Sequence, residues 1–192
     1  MIVTIWEAQP WPPRVPAYYE WELGAAMADL GLRTQFASLR EATENSFAGR
    51  IVVLRMTSDG ESARAHLPAM PSSALAWTHA SGPDIAPFGT VDMEAVRSFV
   101  RIAPIRLLID REARLYARAL GRVAAHELFH MITRSKEHSE RGLMQATLTA
   151  TELTAEKRPE WLPRNREQAH SAFPQAADGE LVAAVSGNRR HE

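Results

Sequence analysis

The sequence predicts a single domain of the α/β class, in the broad sense that includes α+β folds, with a small twisted sheet packed on two long helices. Three observations favour this fold class. The chain has 192 residues, which is enough for one core of ordinary size. Short stretches with strand-like patterns dominate its first half. A long and mostly apolar helical stretch follows in the second half and carries the letters HELFH.

The first predicted strand is MIVTIWE, and the Pro-rich QPWPPRVP after it forms a stiff connection. AYYEWELGAAMADLG is predicted to be the first long helix because its apolar residues recur at helical spacing, with Pro16 near its start and Gly31 at its C-terminal cap. LRTQFASL and GRIVVLRM are predicted strands. The second is apolar on both faces, which indicates a central place in the sheet.

The segment TSDGESARAHLPAMPSS is predicted to be a loop from its composition. ALAWTHA and IAPFGTVD follow as two short extended pieces, separated by the turn signal SGPD. MEAVRSFV is expected to form one or two helical turns.

The second long helix is predicted to begin after Asp110 as N-cap and to run through REARLYARALGRVAAHELFHMIT. Arg111, Arg114, Arg118 and Arg122 fall on one stripe of this helix. We interpret the stripe as the solvated edge of a mostly buried helix, with an anionic docking stripe as the alternative.

The C-terminal part is predicted to contain a helix around residues 151–157, broken by Pro159 and Pro163. We expect residues 1–165 to form the domain. The last stretch, PQAADGELVAAVSGNRRHE, lacks convincing periodicity, and residues 166–192 are predicted to be a mobile tail.

Composition excludes several classes of function. The net charge is −1 with 45% hydrophobic and 23% charged residues, which argues against a disordered chain or a nucleic-acid-binding protein. No apolar run reaches the roughly 18 residues of a membrane span, and the start of the chain does not resemble a signal peptide. We therefore expect a soluble protein, cytoplasmic as given, or secreted if an export signal precedes this chain. Because there is no cysteine, any metal must be held by His and carboxylates.

HELFH has the spacing of half a zinc site. His126 and His130 lie one above the other on a helix, so both imidazoles can reach one ion. Glu127 is rotated by about 100° from His126, which suits a general base acting on water at the metal rather than a ligand. The alternative is a chance match, with both histidines hydrogen-bonded to backbone carbonyls in the core.

A catalytic zinc site usually has three protein ligands, so a third must come from elsewhere in the chain. We favour His138, which lies beyond the expected helix end and repeats the ligand type of the first two. Glu152, on a following helix, is the rival. The other candidates are Glu137, Glu140, Glu156, His79 and His66.

HELFH, the later HS and then GLM resemble the metzincin clan of zinc peptidases, and within it matrixins and small bacterial zincins. The resemblance implies a zincin fold, whose mixed sheet has an antiparallel edge strand. It implies Zn²⁺ bound by His126, His130 and His138, and a tight turn at Met144 beneath the metal. It also implies a peptide or protein substrate lying along the edge strand.

The matching edge strand is ALAWTHA, where a peptide would pair antiparallel with Leu75, Ala76, Trp77 and Thr78. A plainer interpretation makes Trp77 a core aromatic residue and His79 a surface histidine. Matrixins place five residues, one of them glycine, between the second and third His. This chain has the seven residues MITRSKE there and no glycine, so its turn must be built another way.

The functional prediction is a zinc metallopeptidase of the endopeptidase type, with Glu127 as general base. A second hypothesis is a zincin fold kept as a binding or scaffold protein with an idle metal site, and a third is a globular domain without metal. The sequence does not predict the substrate, zymogen control or the oligomeric state.

Overall fold

The computed structural model describes residues 2–8, 11–38, 41, 44, 50–58, 74–82, 84–104 and 108–173. In these ranges the strands are β1 (Ile2–Ala8), β2 (Thr34–Ser38), β3 (Arg50–Thr57), β4 (Ala76–Ser81) and β5 (Asp84–Asp92). The helices are α1 (Val15–Ala28), α2 (Met93–Phe99), α3 (Asp110–Thr133), α4 (Ala150–Thr154) and α5 (Pro163–Ala172). None of the described helices is long and apolar enough to cross a bilayer.

The strands form one mixed sheet in the order β2-β1-β3-β5-β4. β1 pairs in parallel with β2 and β3, and β3 pairs in parallel with β5. β4 pairs antiparallel with β5 and forms one edge of the sheet. The predicted fold class, a small mixed sheet with an antiparallel edge strand packed on two long helices, is confirmed, and so is the central place of GRIVVLRM.

Only one face of β3 is deeply buried. Val52, Leu54 and Met56 are in the core, whereas Ile51 is 43% exposed and Arg55 is exposed. The two long helices share their core with the first three of these residues. The apolar residues on both faces therefore predicted the central position of β3 correctly, but they did not predict how deeply each face is buried.

The two long helices pack closely where Gly121 of α3 meets Glu22 of α1. A Cβ at Gly121 would lie 3.0 Å from the Glu22 Cβ. The next residue, Arg122, is 0% exposed and donates from Nε to Glu22 Oε1 at 2.9 Å and from an Nη atom to the Glu152 carbonyl at 2.6 Å. Our interpretation of Arg122 as part of a solvated edge is wrong. Its guanidinium is buried and binds the Glu22 carboxylate of α1 instead of solvent.

The predicted helix ends are partly correct. Gly31 has a φ of 75° and Leu32 donates its backbone N–H to the Met27 carbonyl at 3.1 Å, as expected for a glycine that ends α1. Asp110, predicted as N-cap, is instead the first residue of α3, after Ile109. Its carboxylate accepts a hydrogen bond from Arg14 at 2.8 Å instead of capping the helix.

The last two helices differ from prediction. The helix expected at residues 151–157 is the short α4. Pro163 starts α5 instead of breaking a helix. Proline is tolerated there because backbone N–H groups in the first helical turn donate no hydrogen bond within the helix. α5 spans residue 165, where the predicted domain ended. Residues 174–192 lie outside the described residues, so the domain boundary and the tail stay predictions.

Candidate metal centre

Helix α3 aims two imidazoles at the same point. His126 and His130, one turn apart, have ring centroids 4.7 Å apart. Their Nε2 atoms face each other at 3.0 Å. This geometry follows from the four-residue spacing, since such side chains lie one above the other on a helix.

The other ring nitrogens are held by the backbone. His126 Nδ1 donates to the Leu143 carbonyl at 2.9 Å, and His130 Nδ1 donates to the Ser135 carbonyl at 2.6 Å. A carbonyl can only accept, so each Nδ1 carries the hydrogen and each Nε2 keeps its lone pair. Backbone partners of this kind fix the tautomer and orientation of metal-ligating histidines.

His138 joins the pair from the loop after α3. Its ring centroid lies 5.2 Å from that of His126 and 4.9 Å from that of His130. One nitrogen from each of the three rings falls within 4.8 Å of the others. His138 is exposed, His126 is half-buried and His130 is buried. The structure thus brings together the three histidines that the sequence analysis selected.

The turn without glycine is built on Arg134. This residue caps α3 in the left-handed conformation, with φ 54° and ψ 29°. The reversal places the carbonyl of the next residue, Ser135, against His130 Nδ1. One strained residue therefore ends the helix, turns the chain toward His138 and provides an acceptor for a ligand candidate.

The GLM turn supports the same loop. Gly142 has a φ of 82°, and Gln145 donates its N–H to the Gly142 carbonyl at 3.3 Å. Met144 is 0% exposed, and its carbonyl accepts from the backbone N–H of Ser139 at 2.8 Å. The tight turn expected at Met144 is present, and its backbone holds the residue that follows His138.

Helix α5 anchors this loop from outside. The buried Asn165 side chain lies at hydrogen-bonding distance from Ser139 Oγ, 3.3 to 3.4 Å. Arg164 forms an ion pair with Glu137, which precedes His138. The sequence analysis did not predict α5 and so missed this support, although Pro163 at a helix start was an available signal.

The rival ligand Glu152 is engaged elsewhere. Its carboxylate accepts from the Thr149 backbone N–H at 2.8 Å in the capping box of α4 and from Gln145 Nε2 at 3.0 Å. These hydrogen bonds, first that from the Thr149 backbone, lower the pKa of Glu152. In the described residues it does not belong to the histidine cluster.

The remaining candidates that the structure describes, Glu137, Glu140, Glu156 and His79, also lie outside the cluster. Glu137 pairs with Arg164, and Glu140 and Glu156 are exposed. His79 packs 4.6 Å from the Phe88 ring, and burial lowers its pKa. His66 lies outside the described residues.

Glu127 is buried beside the cluster, with 8% exposure. Thr78 Oγ1 donates to Glu127 Oε2 at 2.6 Å. Burial raises the pKa of Glu127 from 4.5 to about 7, and the hydrogen bond from Thr78 opposes part of that rise. A carboxyl group with a pKa near neutrality can both accept and return a proton.

Burial also keeps the histidines neutral. It lowers the pKa of His126 to about 3, with a further lowering from the nearby His130. It lowers the pKa values of His130 and His138 as well. Neutral imidazoles are the form in which histidine binds a metal.

A cleft of about 640 Å³ opens beside the cluster. All three histidines and Glu127 line it, together with β4, and its apolar wall includes Leu75, Ile85, Phe99, Val123, Leu148 and Leu153. The four residues predicted to bind substrate, Leu75, Ala76, Trp77 and Thr78, also contribute to the lining. Trp77 is only 4% exposed, in line with the interpretation as a core aromatic.

The sequence analysis missed three contributors to the site: the Thr78 hydroxyl as a donor to Glu127, and the carbonyls of Ser135 and Leu143. A carbonyl acceptor carries no sequence signal, because every residue has one. The Thr78 contact depends on how β4 lies across α3, which no local pattern specifies.

Comparison with known proteins supports the fold. No protein-family model and no curated protein sequence matches the chain. The fold is similar to the 1.5 Å crystal structure of archaemetzincin from Methanopyrus kandleri, with a TM-score of 0.57. The match has 13% sequence identity and covers 91% of this chain and 96% of that one. At this identity the likeness shows the fold alone, which is zincin-like.

Proposed function

We propose that this protein is a zinc-dependent metallopeptidase in which His126, His130 and His138 hold the metal. One observation carries the proposal: two histidine Nε2 atoms, both with free lone pairs, face each other at 3.0 Å. Two lone pairs at this distance repel each other, whereas a cation between them makes both contacts favourable. The chance-match alternative accounts for the carbonyl bonds of the Nδ1 atoms and leaves the facing Nε2 atoms unexplained.

The donor set suits zinc. Zinc takes imidazole nitrogens at about 2.0–2.1 Å in tetrahedral sites, which puts neighbouring donors roughly 3.3 Å apart. The Nε2 separation of 3.0 Å is close to that value, and the third ring needs only a small adjustment within its 4.8 Å cluster. Three protein ligands leave one position open, as in catalytic sites. Calcium and magnesium, which prefer oxygen ligands, fit less well.

When bound, zinc supplies Lewis-acid activation of water and of a carbonyl oxygen. Glu127 would take the proton from the attacking water and return it to the leaving amine; this role is supported by its position in the lining of the same cleft. Its pKa of about 7 suits both transfers. The carbonyls of Leu143 and Ser135 keep the His126 and His130 rings oriented throughout.

A peptide substrate would lie in the cleft along β4 and pair with the backbone of Leu75, Ala76, Trp77 and Thr78. β4 is an edge strand among the described strands, so one side of its backbone has no partner strand within that part of the chain. Pairing of this kind binds extended peptides with little sequence preference. The proposal includes cleavage within a peptide, the endopeptidase type, rather than removal of terminal residues.

We also retain two narrower hypotheses. The kinship with matrixins rests on His138-Ser139 and on the Gly142-to-Met144 turn, and the glycine-free turn separates this chain from them. The second hypothesis is that residues 1–165 form the catalytic domain. An export signal ahead of this chain would make the peptidase a secreted one.

The proposal is tested by Glu127→Gln in the full chain. We expect about one zinc per chain, by elemental analysis, in both the wild type and this variant. Only the wild type should cleave a library of fluorescence-quenched peptides, with the variant reduced by about 100-fold or more. Glu140→Gln, which changes an exposed carboxylate in the next loop, is the matched control and should retain activity.

Absence of zinc in the wild type would overturn the metal site. Equal activity of wild type and Glu127→Gln would remove the general-base role. A zinc-loaded wild type that cleaves nothing in the library would instead favour the idle scaffold.

A further inference from the structure

Thr78 connects β4, the strand proposed to bind substrate, to Glu127, the proposed general base. It lies on β4, and its hydroxyl donates to Glu127 Oε2 at 2.6 Å, a short hydrogen bond to a buried carboxylate. No described residue donates to the other carboxylate oxygen, Oε1. The two oxygens of Glu127 therefore differ within the described part of the chain: Oε2 accepts a hydrogen bond from Thr78, and Oε1 accepts none.

The local sheet geometry allows this contact. Thr78 pairs with Gly89 of β5, and the pairing register shifts between Thr78 and Ala80. Such irregularities redirect side chains and are common near active sites. A Cβ at Gly89 would lie 3.2 Å from the Trp77 carbonyl and 3.3 Å from a methyl carbon of Met131 on α3. Glycine at this position of β5 therefore leaves room for the Trp77 carbonyl of β4 and for the Met131 side chain of α3, beside the residue that contacts Glu127.

We propose that Thr78 is a positioning residue that orients the Glu127 carboxylate for proton transfer. The inference rests on the proposed peptidase function. A carboxylate without this hydrogen bond could rotate about its last side-chain torsion, which has a broad energy profile. With Oε2 fixed, Oε1 remains the oxygen that takes the proton.

The placement of Thr78 also couples substrate binding to the base. A peptide that pairs with the β4 backbone binds the strand from which the hydroxyl extends. Thr78 would therefore fix Glu127 relative to the substrate as well as relative to α3. Catalytic groups held by such outer contacts lose rate, more than affinity, when the contact is removed.

The test compares Thr78→Val, which keeps the shape and removes the hydroxyl, with Thr78→Ser, which keeps the hydroxyl. The substrate is the library peptide that the wild type cleaves fastest. Thr78→Val should lower kcat by about 10- to 100-fold, in line with the loss of a hydrogen bond to a charged group. KM and zinc content should stay within about twofold of wild type, and Thr78→Ser should restore kcat to within about threefold.

A matched control is Thr154→Val, which removes a hydroxyl that donates to the Ala150 carbonyl at 2.8 Å in α4 and does not line the cleft. It should keep the wild-type kcat. A second measurement needs no activity. Thr78→Val should lower the unfolding midpoint of zinc-free protein, and it should do so less in a Glu127→Ala background, where its partner is gone.

Equal kcat values for Thr78→Val and an active wild type would overturn this inference and leave the peptidase proposal intact. The same holds if Thr78→Ser fails to restore kcat while folding normally. A wild type that binds no zinc and cleaves nothing would overturn the proposed function, and with it the catalytic role of Thr78.

Discussion

The Nε2 atoms of His126 and His130 face each other at 3.0 Å, while each Nδ1 is tied to a backbone carbonyl. The carbonyls prevent either ring from turning its N–H toward the other without losing a hydrogen bond. Protonating one ring would relieve the repulsion, but burial lowers the pKa of both. A bound cation relieves the repulsion between the two Nε2 atoms without breaking a hydrogen bond and without protonating a buried ring.

The first prediction is that zinc stabilises the folded protein. A ligand that binds only the folded state at about 100 times its Kd adds roughly 2.7 kcal/mol. For a chain of this size the thermal midpoint should rise by about 5–10 °C relative to EDTA-treated protein, as followed by circular dichroism. Magnesium at the same concentration should have no effect. An equal zinc-induced shift in His126→Ala would mean that zinc binds elsewhere.

The second prediction concerns the third ligand. His138→Ala should weaken zinc binding by more than the about 10- to 100-fold that loss of an outer-shell partner costs, since it removes a direct ligand. Glu152→Gln should bind zinc like the wild type, because its carboxylate caps α4 and lies outside the cluster. Competition with a chromogenic chelator measures both affinities. The reverse ranking would assign the site to two His and one Glu.

Sequence periodicity was sufficient for the first half of the site. The spacing of His126 and His130 fixes their relative position once the helix is recognised, and the apolar surroundings identified a buried helix. The position of His138 depends on a left-handed residue that is neither glycine nor asparagine. Such a turn has no sequence signature, so His138 could be chosen only by ligand type and resemblance.

Burial and partners were harder to predict than elements. Arg122 has the same helical spacing as the exposed Arg111 and Arg114, but it is buried against Glu22, 100 residues earlier, and the Glu152 carbonyl. Thr78 was selected for its backbone on the edge strand, whereas its side chain makes the notable contact with Glu127. Both contacts escaped prediction for one reason: they join segments far apart in the chain, where local patterns carry no information.

The third prediction is a pH dependence that comes from Glu127. Its pKa is raised from 4.5 to about 7 in the folded protein. Between these values the folded state keeps a proton that the unfolded chain releases, so this contribution to stability is present at low pH and is lost as pH rises through about 7. Glu127→Gln cannot ionise and avoids the loss. The lowered pKa of His126 has the opposite effect, but it acts in both proteins.

Urea unfolding of zinc-free wild type and Glu127→Gln at about pH 5 and about pH 8 measures this effect. The variant's stability relative to wild type should increase by roughly 1–3 kcal/mol at the higher pH. A constant difference between the two proteins would show that Glu127 has the same pKa in the folded and unfolded states.

The fourth prediction tests the turn before Met144. Gly142 has a φ of 82°, and a Cβ there would collide with the Glu160 carbonyl, which accepts from the Leu143 N–H. Gly142→Ala should cost about 2–4 kcal/mol, from left-handed strain and overpacking together. Zinc should also bind about tenfold more weakly, because the displaced Leu143 carbonyl orients His126.

Gly82→Ala is the matched control for this change. Gly82 also has a positive φ, 61°, but a Cβ there would meet no atom of the described residues within 4 Å. This variant should lose only about 1–2 kcal/mol and keep its zinc affinity. Chemical denaturation and zinc titration of both variants provide the comparison, and equal losses in the two would contradict a specific role for the Gly142 contact.

The fifth prediction separates the backbone of Arg134 from its side chain. Left-handed conformation costs a non-glycine residue about 1–2 kcal/mol, and Arg134 is exposed. Arg134→Gly should therefore stabilise the protein by about 0.5–1 kcal/mol after the greater flexibility of unfolded glycine is included. Zinc affinity should not change, because the Ser135 carbonyl that holds His130 depends on backbone geometry alone. Denaturant unfolding measures the gain in the free energy of unfolding, with Arg134→Ala, which keeps the strain, as the control. A loss of zinc affinity in Arg134→Gly alone would show that rigidity at this residue keeps His138 beside His126 and His130.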